Sequence, residues 1–76
     1  MSLEEILTME QLSAWSGYSM QTLYAMRARG EGPASFKIGS GRSGRIRYRW
    51  SAVEAWLREL ERAEQDRLAR LHQVAG

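Results

Sequence analysis

The chain has 76 residues, with 11 Lys plus Arg against 9 Asp plus Glu, one His and no Cys. That length holds one small domain with a marginal core, and the lack of Cys excludes disulfides and Cys-ligated zinc and fits a reducing, cytoplasmic setting. No apolar run is long enough to span a bilayer, and the acidic start Met1-Ser2-Leu3-Glu4-Glu5 has no long apolar stretch behind it, so it does not read as a secretory signal.

Residues 1–5 are expected to be a flexible N-terminus. The first helix starts at Thr8, an N-cap residue with Gln11 three positions on, which makes a capping box; Leu7 and Leu12 hold the staple positions around it. Leu12 and Trp15 then share one helical face, and Gly17 ends the helix. Ser19 caps a second helix, with Tyr18 and Leu23 at its staple positions. Leu23 and Met26 face inward at i, i+3 spacing, Tyr24 sits at the margin, and Gly30 followed by Gly32-Pro33 is the stop. Two short helices joined by a tight Gly-containing turn make a helix-turn-helix.

After Pro33 the period changes to two. Phe36 and Ile38 alternate with Lys37, and Ile46, Tyr48 and Trp50 alternate with Arg45, Arg47 and Arg49. Residues 36–49 therefore read as a hairpin with one apolar and one basic face. Lys37, Arg45, Arg47 and Arg49 are expected together on the basic face, and Arg42 near the flexible Gly/Ser tip of residues 39–44. Ser51 with Glu54 makes another capping box, and Val53, Trp56, Leu57 and Leu60 form the apolar stripe of a third helix. Beyond Leu60 the stripe thins to Ala63, Leu68, Leu71 and Val74, so residues 61–75 are helical in propensity but weakly anchored. The expected fold is α+β, mostly α: a winged helix-turn-helix with two short N-terminal helices, a two-stranded hairpin wing and a longer C-terminal helix. Its boundaries are 6–60 for the domain and 61–76 for a helical extension, frayed or self-associating.

Charge is unevenly distributed along this frame. Residues 1–26 carry three acids and no Lys or Arg; residues 27–49 are net +6 and nearly all Arg; residues 50–76 are net −1. A concentrated Arg segment attracts a polyanion and suits fork-like recognition of phosphate or base edges. The second helix fits a major groove, where Met20, Gln21, Thr22, Tyr24, Ala25 and Ala28 are the outward candidates and Gln21 can pair with adenine. Ser19, with the free N–H groups beside it, suits a phosphate. Arg27 and Arg29, near the helix end, are placed for backbone contacts, and the hairpin tip, with Arg42 and Ser43, for a minor groove. The expected partner is double-stranded DNA.

Competing uses of these residues weigh less. A solvated strand face could also be Arg-rich, but four basic residues with no acid among them favour DNA. Tyr24 alone is more often a core-margin aromatic than a base contact. Trp15, Trp50 and Trp56 each fall on an apolar face and read as core, and Met9, Met20 and Met26 as packing or surface. His72 has no partner at metal spacing. Glu54–Arg58, Glu59–Arg62 and Asp66–Arg70 can make helical ion pairs on a solvated helix. Residues 39–44 lack the following helix and Lys of a nucleotide loop, and there is no nucleophile–base pair. The sequence reads as no enzyme, with no cofactor, metal, membrane or small-molecule substrate.

The run from Gln21-Thr22-Leu23-Tyr24 through Arg27-Ala28-Arg29-Gly30-Glu31-Gly32-Pro33 resembles the second-helix signature of excisionase-like, MerR-related winged helix proteins. Lys37-Ile38-Gly39, Arg45-Ile46-Arg47-Tyr48 and Ser51-Ala52-Val53-Glu54-Ala55-Trp56-Leu57 resemble that family's later blocks, in order, and residues 6–12 its first helix entry. The resemblance covers residues 6–60. It implies a phage or prophage excisionase, a recombination directionality factor that binds adjacent sites in a bacterial host and bends the DNA so that an integrase favours excision. A small prophage transcriptional regulator on the same fold would need the same contacts. The chain departs from the family in a longer, Gly/Ser-rich wing and in a C-terminal helix running about four turns further. The extra helix suggests self-association, an integrase contact, or, as a reading of another class, a protein-interaction module; Leu57, Leu60, Leu68 and Leu71 are too irregular for a sustained heptad.

Overall fold

The computed structural model describes residues 2–39 and 45–75, the side chains of Val74 and Ala75 excepted. In chain order the elements are β1 (Ile6–Thr8), α1 (Met9–Ser16), α2 (Met20–Ala28), β2 (Ser35–Ile38), β3 (Arg45–Arg49) and α3 (Trp50–Ala75). The fold is α+β and mostly helical, and its three strands form one antiparallel sheet in the order β1-β3-β2.

The helix signals act as the sequence indicates. Thr8 Oγ1 accepts from the Gln11 N–H at 3.0 Å, and Gln11 Oε1 accepts from the Thr8 N–H at 2.9 Å. Two otherwise orphaned donors are thereby satisfied at the start of α1. Gly17 adopts φ 85°, a left-handed conformation that costs a side-chain-bearing residue, and its N–H donates to Ser13 O at 3.0 Å. Ser19 Oγ then accepts from the Thr22 N–H at 3.1 Å to open α2.

The third strand was not legible. Residues 6–8 are too few to show a period, and β1 exists because Ile6, Leu7 and Thr8 pair with Arg49, Tyr48 and Arg47. Leu7 faces the core from this strand as well as preceding the cap of α1.

Register also corrects the hairpin. Residues directly opposite in an antiparallel pair share a face. Ser35 lies opposite Tyr48, Phe36 opposite Arg47, Lys37 opposite Ile46 and Ile38 opposite Arg45. One face of the sheet therefore carries Leu7, Tyr48, Ser35, Ile46 and Lys37. The other carries Ile6, Thr8, Phe36 and Ile38 together with Arg45, Arg47 and Arg49. Lys37 is not on the basic face, and Phe36 and Ile38 are not on the apolar one. Alternation within each strand was right. The phase between the strands depends on a turn whose length sequence alone leaves open.

The core lies on the Tyr48 face. Leu7, Met9, Leu12, Leu23, Tyr48 and Val53 are buried, and Met26, Ile46, Trp50, Trp56 and Leu57 pack against them. Every element except β2 contributes a buried residue. The Tyr48 hydroxyl reaches Met9 Sδ at 3.8 Å, and burial pushes its pKa up, opposed by Arg27 and reinforced by Tyr24. Trp15, expected in the core, is 45% exposed. It lies at the open end of α1, edge-on to Trp50 with ring centroids 4.7 Å apart.

α3 starts at Trp50, so Ser51 is a helical residue rather than the expected cap. Its first donors are met from the N-terminal segment: the Trp50 N–H donates to Glu5 O at 2.8 Å and the Ser51 N–H to Leu3 O at 3.0 Å. Val53, Trp56 and Leu57 face the core, but from Arg58 through Gln73 every residue is exposed. The helix overhangs the body, and the molecule measures 55 × 26 × 19 Å. Glu54 and Arg58 form the expected pair at 3.0 Å, and Glu64 pairs with Arg67.

Candidate nucleic-acid interface

α2 is held by few side chains and presents the rest. Leu23 is buried and Met26 half-buried, whereas Met20, Gln21, Thr22, Tyr24, Ala25 and Ala28 are all exposed. These six are the outward residues expected from helical spacing. Tyr24, at 47% exposure, belongs to the presented surface rather than to the core margin. Ser19 spends its hydroxyl on the cap, accepting from the Thr22 N–H and donating to Thr22 Oγ1 at 2.9 Å. An approaching anion is therefore left the N–H groups of the first helical turn other than that of Thr22.

Arg27 and Arg29 are engaged within the protein. Arg27 is half-buried, and its Nε donates to Ser35 Oγ at 3.0 Å, tying the end of α2 to β2. Arg29 donates to Glu31 Oε2 from Nε at 3.2 Å and from a terminal nitrogen at 3.1 Å. Arg27 is therefore a positioning residue for α2. Ser35, its acceptor, carried no signal in the sequence, because the bond depends on two elements meeting.

Beside α2 runs an open groove of about 370 Å³, lined by Thr8, Met9, Glu10, Met20, Tyr24, Arg45, Ile46 and Arg47. It opens where β1 stops: Thr8 lies opposite Arg47, so β3 has no neighbour on that side at Ile46 and Arg45. Arg45 and Arg47 thus border the same groove as Met20 and Tyr24, although they belong to the outer face of the sheet. Arg47 is half-buried and donates from Nη1 to Ile46 O at 2.8 Å. Lys37 reaches the α2 side by another route. It stands two residues beyond Ser35 on the same face of β2, and Ser35 is the residue that α2 grips. Arg49 stays apart, its guanidinium carbon 5.9 Å from the Phe36 ring centroid on the outer face. Arg42 and Ser43, expected at the hairpin tip, lie outside the described residues.

The groove also contains residues that the sequence did not single out for function. Met9 and Ile46 floor it because both belong to the edge of the core. Thr8 and Glu10 enter through the first turn of α1, which the unforeseen β1 sets beside β3. Glu10 is an exposed carboxylate within an otherwise cationic rim. Among the described residues no group of three His, Cys, Asp or Glu could hold a metal ion, and no helix is long and apolar enough to cross a membrane.

No curated protein and no solved structure matches the chain significantly. A family model described as a helix-turn-helix domain matches residues 6–61, the span from β1 through the core-facing part of α3. That family includes excisionase-like DNA-binding domains, and DNA is the partner its members' fold serves. The capped pair α1–α2, the exposed row on α2 and the matched span agree: the chain belongs to the helix-turn-helix domain family and is a DNA-binding protein of that family.

Proposed function

We propose that this protein is a sequence-specific, non-catalytic DNA-binding protein of the excisionase type, which binds and bends attachment-site DNA so that an integrase runs toward excision. The observation that carries the reading is the shared groove, with Met20 and Tyr24 from the exposed row of α2 on one wall and Arg45 and Arg47 on the other. α2 enters the major groove, where Gln21 can donate and accept in a pair with adenine. The sugar-phosphate strand bordering that groove passes over the cleft, where Arg45 and Arg47 neutralise phosphates. Lys37 adds a contact from the α2 side of β2, and Arg42 and Ser43, between β2 and β3 in the sequence, serve the minor groove. Arg49, stacked toward Phe36, contributes least. Arg27 keeps α2 at a fixed angle to the hairpin through Ser35, so that the two reading elements approach one duplex as a unit. Membership of a family with excisionase-like domains supports the biological role.

The experiment has two arms. Titration of labelled duplex bearing attachment-site repeats measures affinity against salt, and circularly permuted fragments report the bend. A protein that neutralises about four to six phosphates gives a log–log slope of about −3.6 to −5.4. Affinity indifferent to salt refutes DNA as the ligand. A recombination assay with the neighbouring integrase tests the role: specific binding without any effect on excision replaces the excisionase reading by transcriptional control.

A further inference from the structure

The overhanging part of α3 is the largest surface that the DNA reading does not use. From Arg58 through Gln73 every residue is exposed, yet Leu60, Leu68 and Leu71 are large and apolar. Leu57, Leu60, Glu64, Arg67 and Leu71 recur at alternating spacings of three and four, the first and fourth positions of two heptads and the first of a third. The stripe fails as a sustained heptad because its middle layer holds Glu64 and Arg67, which form an ion pair along the helix. That charged layer determines what can lie against it.

We propose that this segment of α3 pairs antiparallel with the same segment of a second copy, setting Leu60 against Leu71 and Glu64 against Arg67. Two-fold symmetry makes each contact twice. In this register the central layer holds two carboxylates and two guanidinium groups, so each charge meets an opposite one on its own helix and on the other. The parallel alternative sets Glu64 on Glu64 and Arg67 on Arg67, like charges facing across an apolar seam. It also fails sterically. The stripe continues the side of α3 on which Val53 and Leu57 meet the core, so each copy's own body stands on the pairing side at the N-terminal end. Parallel helices would bring both bodies into one gap, whereas antiparallel helices place them at opposite ends. There the far end of the second helix meets Leu60, one turn beyond Trp56, whose ring lies 6.1 Å from that of the exposed Tyr18. Leu68 widens the seam on the flank. A contact of about two heptads is small and belongs to the weak, concentration-dependent class. It needs no DNA, so its test stands apart from that of the proposed function.

The chain has no native cysteine, so single thiols report the register. Leu60→Cys and Leu71→Cys proteins are mixed in equal amounts and oxidised mildly. The mixed 60–71 disulfide is expected well above the half that random collision yields, since a bridge requires Cα atoms within about 7 Å. Predominant 60–60 and 71–71 products mean a parallel pair and overturn the proposal; random proportions overturn pairing altogether. Sedimentation equilibrium at about 100 µM, with circular dichroism to verify folding, keeps the proposal testable if either thiol weakens the seam. The wild type is expected to shift toward twice the chain mass. Leu60→Lys and Glu64→Lys should each weaken association by about tenfold or more, and Glu64→Lys combined with Arg67→Glu should restore it. A wild type that stays monomeric, or a charge exchange that does not restore association, overturns it.

Discussion

Replacing Arg45 and Arg47 together with Ala tests the groove directly. Each phosphate contact contributes about 0.9 to the slope of log affinity against log salt. Four contacts, from Lys37, Arg45, Arg47 and the first turn of α2, give a slope of about −3.6, so raising salt from about 50 to about 200 mM weakens binding about 150-fold. Without the two arginines the slope falls to about −1.8 and the same change costs only about 12-fold. Arg49→Ala should leave the slope near the wild-type value, because that guanidinium lies over Phe36 on the outer face, away from the groove. Fluorescence anisotropy on one duplex over a salt series measures all three proteins. The discriminating quantity is the slope rather than the affinity at one salt, since a general loss of folding lowers affinity without selecting a slope. If Arg49→Ala flattens the slope as much as the double substitution does, the outer face of the sheet is the DNA surface and the groove assignment fails.

Gln21→Ala should relax preference at a single base pair, by about 1–3 kcal/mol in a selection over randomised duplexes, with non-specific affinity unchanged; an unaltered profile removes Gln21 from the major groove. Leu12, with no exposed surface, should cost about 2–5 kcal/mol as Leu12→Ala in urea unfolding. A chain of this length holds in total only about 4–11 kcal/mol, so a loss below about 1 kcal/mol would mean that the core is not where the structure has it. Tyr48 has its pKa raised by burial, so the stability it contributes is intact below the ordinary tyrosine value near 10 and is lost as pH rises through the higher folded value. Thermal unfolding of Tyr48→Phe should then show a shallower decline above pH 10 than the wild type; equal declines would assign the alkaline loss to other groups.

The parts of this fold that sequence displays are those settled within a few residues of chain. Thr8 with Gln11, Ser19 with Thr22, and Gly17 act over one turn of backbone, and each stands in the structure as its spacing indicates. The exposed row of α2 was legible for the same reason. What the sequence hid depends on distant residues meeting. β1 is three residues long and becomes a strand only through Tyr48 and its neighbours. Lys37 changes face because cross-strand phase is set across a Gly/Ser-rich connection that fixes no length of its own. Arg27 was expected to contact the DNA backbone, and only the approach of β2 supplies Ser35 to hold it. The start of α3 lies two residues before the position that a Ser51 cap would give, because Leu3 and Glu5, remote in sequence, provide the acceptors.

The groove and the core are consequences of a single register. Tyr48 is buried between Leu7 on β1 and Ser35 on β2, and Arg47 follows it onto the opposite face by alternation. A slip of one residue would turn Tyr48 outward and carry Arg45, Arg47 and Arg49 toward the core, where unpaired guanidinium groups are prohibitively costly. Burial of one aromatic ring therefore selects where the cations stand. Lys37 is fixed by the same choice, since it shares Ser35's face and α2 grips that face through Arg27. In a chain with six buried hydrophobic residues among those described, this coupling explains how a marginal core can present the proposed DNA surface: the contacts that exclude water from Tyr48 also set the spacing between α2 and the arginines beside it.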